Sequence, residues 1–232
     1  MTSTAMDLSS PLTAPLQMFN LLPSRTLHPE RARALWPEDV GHDDLLTNAT
    51  MQRVLHKRRS AQLLHSIGAD AAPVLGLGDA ALPLALAEPE LLEQVANFAG
   101  TALMGGHLRR TIERDKLAQA RADLGDEIFL WARHQAFDIH PGLSDAQLQP
   151  WLHNRLSAGA NALGFGLIAQ VFGDAPAPTR LRAHWKLHPA AEAPELRNAS
   201  GLKPKAARDL CLAVMHAGSG ALRVDGKWSW PG

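Results

Sequence analysis

Pro89-Glu90-Leu91-Leu92-Glu93-Gln94-Val95-Ala96-Asn97-Phe98-Ala99-Gly100-Thr101-Ala102-Leu103 is the stretch that decides the fold. Leu91, Leu92, Val95, Phe98, Ala99, Ala102 and Leu103 recur at i, i+1, i+4, i+7 and i+8, the spacing of a wide apolar stripe on a helix of period 3.6. Such a stripe has to be buried against other elements, and the chain on both sides supplies more of the same pattern.

Downstream, Gly105-Gly106 predicts a break or kink, because each glycine costs about 1 kcal/mol of helix propensity relative to alanine. Leu108, Ile112 and Leu117 then ride a second, more solvated helix, with Arg109 and Glu113 spaced i, i+4 for an ion pair. Leu124, Ile128, Trp131 and Ala132 keep helical spacing until Pro141-Gly142. Ser144 with Gln147 spells a capping box for the next run, which Leu148, Trp151, Leu152 and Leu156 continue. Leu163, Leu167, Ile168 and Val171 form another apolar face, and Gly159, Gly164 and Gly166 on that helix predict close contact with a neighbouring helix. Residues 173–178 read as a loop, 181–187 fit helix or strand, and 189–204 read as irregular. A closing helix carries Ala207, Leu210, Cys211 and Val214. Beyond it, Asp225-Gly226 between Ala221-Leu222-Arg223-Val224 and Lys227-Trp228-Ser229-Trp230 is a two-residue hairpin signal.

Upstream, residues 1–17 are rich in Ser, Thr and Pro without periodicity and read as a disordered tail. Phe19-Asn20-Leu21-Leu22-Pro23 ends in a helix breaker, and Leu27-His28-Pro29 opens a short helix that Pro37 stops near Trp36. Asp43 or Asp44 would cap a helix toward Ser66, with Met51, Val54 and Leu55 on its apolar side and His56-Lys57-Arg58-Arg59 crossing its polar side. The expected fold is therefore mainly α, one irregular multi-helix domain over residues 18–217 with a C-terminal tail or hairpin over 218–232.

Composition narrows the function classes. Lys plus Arg number 23 and Asp plus Glu 23, so no global field draws the chain onto nucleic acid or an anionic membrane. The lone Cys211 sits in an apolar helical pattern and reads as an inert core thiol in a reducing compartment. No cationic, apolar leader begins the sequence and no stretch reads as the ~18 apolar residues of a membrane helix. The expected location is the cytoplasm.

Chemistry is hard to place. Gly76-Leu77-Gly78-Asp79-Ala80-Ala81 imitates a dinucleotide fingerprint, but Pro83 falls where the phosphate-binding helix should be established. The eleven histidines include no His-Glu-x-x-His motif, and their one His-x-x-x-His spacing, His184 to His188, lies in no helix read from the sequence, so no metal and no cofactor are expected. What remains is a binder. Large apolar groups in irregular chain and the densest basic run make Phe19, Asn20, Leu21, His28, Pro29, Trp36, Lys57, Arg58 and Arg59 the candidate partner-binding residues. The rival reading is a small helical enzyme or ligand-binding protein whose groups meet only in the fold, with His107, Arg109, Arg110 or Cys211 as participants.

Phe19-Asn20-Leu21-Leu22-Pro23, then Leu27-His28-Pro29 and a short helix to Leu35-Trp36, resembles the amino terminus of the SctK family (YscK and PscK type) of type III secretion proteins. The order of later parts agrees: a Leu-rich helix at 91–103, Gly106-His107 leading into Leu108-Arg109-Arg110, a Trp-containing helix, and Arg180-Leu181 with Lys186-Leu187 and Pro189. The likeness covers roughly residues 19–215, and the two ends depart from the family's shorter members. It implies a non-catalytic helical adaptor of the injectisome's cytoplasmic sorting platform. Its partners would be the inner-membrane ring protein (SctD type) and the pod protein (SctQ type), with no nucleic acid and no membrane insertion of its own. A secretion-associated chaperone or regulator would differ from it mainly in partner.

Overall fold

A computed structural model describes residues 13–37, 48–153, 155–193, 196 and 198–217. Twelve α-helices and no strand occur among them, so the fold is mainly α. The hairpin signal at 221–230 and the caps Asp43 and Asp44 lie outside the described residues. Within the span that the sequence reads as one domain, contacts group into two compact units: Met1–Pro89 with Ala175–Pro189, and Glu90–Asp174 with Ala190–Gly232.

The first unit contains α1 (Thr13–Leu21), α2 (Pro29–Leu35), α3 (Ala49–Ser66), α4 (Leu82–Leu86) and α11 (Ala177–Lys186). Residues 13–17, read from the sequence as the end of a disordered tail, instead belong to α1, which buries Leu16, Phe19 and Asn20. An amphipathic turn too short to register as a period is fixed there by what it packs on. Asn20 replaces a missing backbone partner: its amide donates to the Val74 carbonyl at 2.9 Å and its oxygen accepts from the Val74 N–H at 2.8 Å.

Helix α11 is held by two cations one turn apart. Lys186 donates to the carbonyls of Ala85 (2.9 Å) and Ala87 (2.7 Å) at the end of α4, and its ammonium lies 5.4 Å from the Phe19 ring centroid. Arg182, 1% exposed, donates to the Ala71 carbonyl at 2.7 Å and the Pro178 carbonyl at 3.0 Å. Burial lowers the Arg182 pKa. Carbonyl oxygens left over at turn and helix ends are thus satisfied by side chains that composition alone would place in solvent.

The second unit contains α5 (Pro89–Arg110), α6 (Arg114–Leu124), α7 (Asp126–His134), α8 (Ala136–Ile139), α9 (Asp145–Leu148), α10 (Leu156–Gly173) and α12 (Pro204–Ala217). Helix α5 does not break at Gly105-Gly106 but runs on to Arg110. The glycines serve a crossing instead: a Cβ on Gly106 would stand 3.0 Å from the Pro141 carbonyl oxygen, and one on Gly105 3.3 Å from that of Ala132. The returning chain is tied there by the Leu143 N–H donating to the Leu103 carbonyl at 2.7 Å.

Helices α5 and α10 run antiparallel in backbone contact. A Cβ on Gly164 would overlap the Ala96 carbonyl, and one on Gly100 the Ala160 carbonyl. This is the close helix contact that the glycines of α10 predict. Helix α10 also corrects an expectation: its 18 residues lack Asp, Glu, Lys and Arg and reach a mean hydropathy of 1.3, enough by length and composition to cross a membrane. Here it is a packed core helix that buries Leu163, Leu167, Ile168 and Val171 and lies against α12, which buries Ala207, Leu210, Cys211 and Val214. The Ser144–Gln147 capping box forms as read. Residues 181–187, open between helix and strand, lie in α11 up to Lys186.

Candidate partner-binding surface

Eight of the nine candidate residues fall into three groups. Phe19, Asn20 and His28 are buried inside the first unit, at 2%, 7% and 5% exposure. His28 caps α2 by accepting from the Glu30 N–H at 3.2 Å, and its own N–H donates to the Trp185 carbonyl. These three hold the lead-in segment down and offer little surface to a partner. Leu21 and Pro29 are exposed, each by itself. Trp36, Arg58 and Arg59 come together.

They line a groove of about 240 Å³ with Leu35, Pro37, Leu55 and Gln62. Leu55, Arg58, Arg59 and Gln62 follow i, i+3, i+4, i+7 on α3, so one helix face forms one wall. The end of α2 forms the other. The Arg59 guanidinium lies 4.7 Å from the Trp36 ring centroid, and the Trp36 indole N–H donates to the Gln62 side-chain oxygen at 3.2 Å. Lys57 is exposed on α3 and does not line the groove.

Helix α3 is oriented by its opposite face. Ser24 and Ser60 share a hydrogen bond at 2.9 Å, and the Ser24 hydroxyl also donates to the His56 carbonyl at 2.9 Å. His56 is held below its ordinary pKa by burial and then by Arg25 and Arg59. The buried residues of this helix are Ser60 and Leu63, while Met51 and Val54, expected on its apolar side, are 46% and 60% exposed. Asn48 caps it, accepting from the N–H groups of Thr50 and Met51.

The residues named for a rival enzyme do not all converge on one site. His107 and Arg110 both reach the exposed Asp145, at 3.2 and 2.8 Å, and that pair, Arg110 first, keeps the carboxyl below its usual range. Arg109 lies over Phe137 at 4.5 Å. Cys211 is fully buried, and burial pushes its thiol up to about 12, so it supplies no thiolate near neutrality. The glycines at 76 and 78 sit in an exposed turn before the five-residue α4, where Asp79 accepts from the Ala81 N–H. Among the described residues no group of three His, Cys, Asp or Glu is arranged to hold a metal.

No family model, curated protein or solved structure matches the chain.

Sequence reasoning missed Leu35, Pro37, Leu55 and Gln62 as groove residues. The signal available was the i, i+3, i+4, i+7 spacing of 55, 58, 59 and 62, which mixes apolar and polar residues and so matches neither a core stripe nor a solvated face.

Proposed function

We propose that this chain is a non-catalytic helical adaptor of a type III secretion sorting platform, acting at the cytoplasmic face of the inner membrane. It would link an SctD-type ring protein to an SctQ-type pod protein. The observation that carries the reading is the stretch from Phe19 to Trp36. Its sequence pattern resembles the SctK family, and its last residues form one wall of an open groove. The chemistry at that groove is the chemistry of contact. An indole, two guanidinium groups and aliphatic side chains suit protein recognition, where Trp and Arg dominate binding energy.

The test is affinity co-purification of the full chain from a type III-secreting bacterium, read by mass spectrometry. Both ring and pod proteins are expected, at ratios retained in assembled complexes. Recovery of neither overturns the proposal, and recovery of secreted substrates in their place would favour a chaperone. Removing residues 1–36 is a poor control, because it takes Leu16 and Phe19 out of the core. Exposed single substitutions on the groove are the better comparison.

A further inference from the structure

We infer that the groove between α2 and α3 receives an acidic segment of a partner protein that inserts an apolar side chain beside Trp36. The inference rests on reading this face as a binding surface and is independent of which secretion protein supplies the segment.

Charge is the first argument. Helix α3 carries Arg53, Lys57, Arg58 and Arg59 and no Asp or Glu over its 18 residues. Arg53, Lys57 and Arg58 form no ion pair among the described residues. Among the described residues the groove lining contains two guanidinium groups and no carboxylate. Elsewhere the described cations are often answered locally, as Lys116 is by Glu113 and Arg110 by Asp145. Arg58, on that wall of α3 and without an ion pair among the described residues, fits a carboxylate from outside, which Arg binds in a planar, two-pronged geometry.

Shape and polarity are the second. Leu35, half exposed, and Leu55 line the groove beside the partly exposed indole of Trp36. Met51 lies one turn from Leu55 on the same stripe and is also about half exposed. The apolar lining therefore continues along α3 beyond the groove, and an extended or helical segment would cover it where a small molecule would not. The volume agrees, since pockets for drug-sized ligands start at about 300 Å³. Arg59 is already held over the indole, which leaves Arg58 on the rim as the group best placed to choose an anion.

A nucleic acid or an anionic membrane would be drawn by the same charges. Both want a broad basic surface, whereas the cationic run here is confined to one helix of a chain with zero formal net charge. An apolar recess with a cationic rim favours a peptide.

The experiment selects a short random peptide library displayed on phage against the intact chain. Enriched peptides are then synthesised and measured by fluorescence anisotropy at low salt and in about 1 M salt, where the Debye length is about 3 Å. Asp or Glu next to a Leu, Ile or Phe is expected in the enriched set. Arg58→Glu should weaken their binding by about tenfold or more, as loss of a binding hot spot does. Arg58→Lys should retain part of the affinity, and high salt should weaken the unaltered chain. Circular dichroism on each variant excludes unfolding as the cause. Four results overturn the inference: no enrichment; neutral or basic winners; folded Arg58→Glu binding undiminished; or heparin or phosphatidylserine vesicles bound while acidic peptides are not. A fifth arm repeats the selection on a chain with Glu38, Asp39, Asp43 and Asp44 changed to amides. Acidic winners found only there would assign the groove to the chain's own acidic stretch and overturn an external occupant. Peptide binding with failed co-purification would refute the secretion proposal alone, and the reverse result would refute only the groove.

Discussion

Gly164→Ala and Gly173→Ala place the same methyl group on the same helix, and they are expected to change stability in opposite directions. Alanine is favoured over glycine in a helix interior by about 1 kcal/mol. At Gly173, the last residue of α10, an added Cβ meets nothing within 4 Å, so part of that gain should appear, about 0.5 kcal/mol. At Gly164 the added Cβ would overlap the Ala96 carbonyl and stand 2.8 Å from the Ala96 Cα. No rotamer can relieve a clash between two backbones, so α5 and α10 must part along a seam that buries Leu163, Leu167 and Ile168. Overpacking of this kind costs about 3 kcal/mol, which leaves a net loss of about 2 kcal/mol after the propensity gain. Urea unfolding of the two variants beside the parent chain, with m-values compared, measures both. A Gly164→Ala protein as stable as the parent would show that the two helices do not touch at these residues, and the account of the second unit would fail with it.

Three other outcomes follow from buried polar and thiol groups. Lys186→Met should destabilise the first unit by about 2–4 kcal/mol in chemical denaturation, because the Ala85 and Ala87 carbonyls lose a charged donor while staying buried; a neutral result would mean that desolving the ammonium costs as much as its bonds return. His56, His140 and His184 should titrate below the ordinary value of 6.5 in NMR, each chiefly because burial disfavours the imidazolium. A depressed folded-state pKa means that the unfolded chain takes up protons first, so these groups contribute stability that is present above about 6.5 and lost as pH falls through their folded values; rising stability on acidification over that window would contradict the assignment. Cys211 should resist iodoacetamide in the native protein and react fully once unfolded, and native labelling at neutral pH would refute its burial.

Period was legible where a helix packs one continuous face. Leu92, Val95, Phe98, Ala99, Ala102 and Leu103 are buried as their spacing requires, and so are Ala207, Leu210, Cys211 and Val214. It failed where the reason for a residue lies far along the chain. Gly105-Gly106 reads as a break because nothing nearby reveals that Pro141 will cross there. Asn20 reads as a partner-binding residue because Val74, the backbone it pairs with, is 54 positions away. The burial of Arg182 and Lys186 is not legible in the sequence, because carbonyl acceptors leave no trace in a side-chain pattern. On α3 the apolar Met51 and Val54 face outward while Ser60 is buried by its bond to Ser24, so hydrophobicity there points to the wrong side. Of the groove, Trp36, Arg58 and Arg59 were visible as separate features, and their proximity was not.

Reciprocity at the α5–α10 crossing bears on how this fold can drift. Gly100 faces Ala160 and Gly164 faces Ala96: each helix carries an alanine and, four residues later, a glycine, and the antiparallel crossing sets each glycine against the other helix's alanine. A Cβ at Gly100 or Gly164 would meet the facing alanine's backbone carbonyl and not its methyl, so exchanging glycine and alanine across a pair would not relieve the overlap. Divergent lineages should therefore keep glycine at both positions, while the alanines facing them are freer to change. A search for distant relatives gains more from the two glycines read jointly, one on each helix, than from either alone.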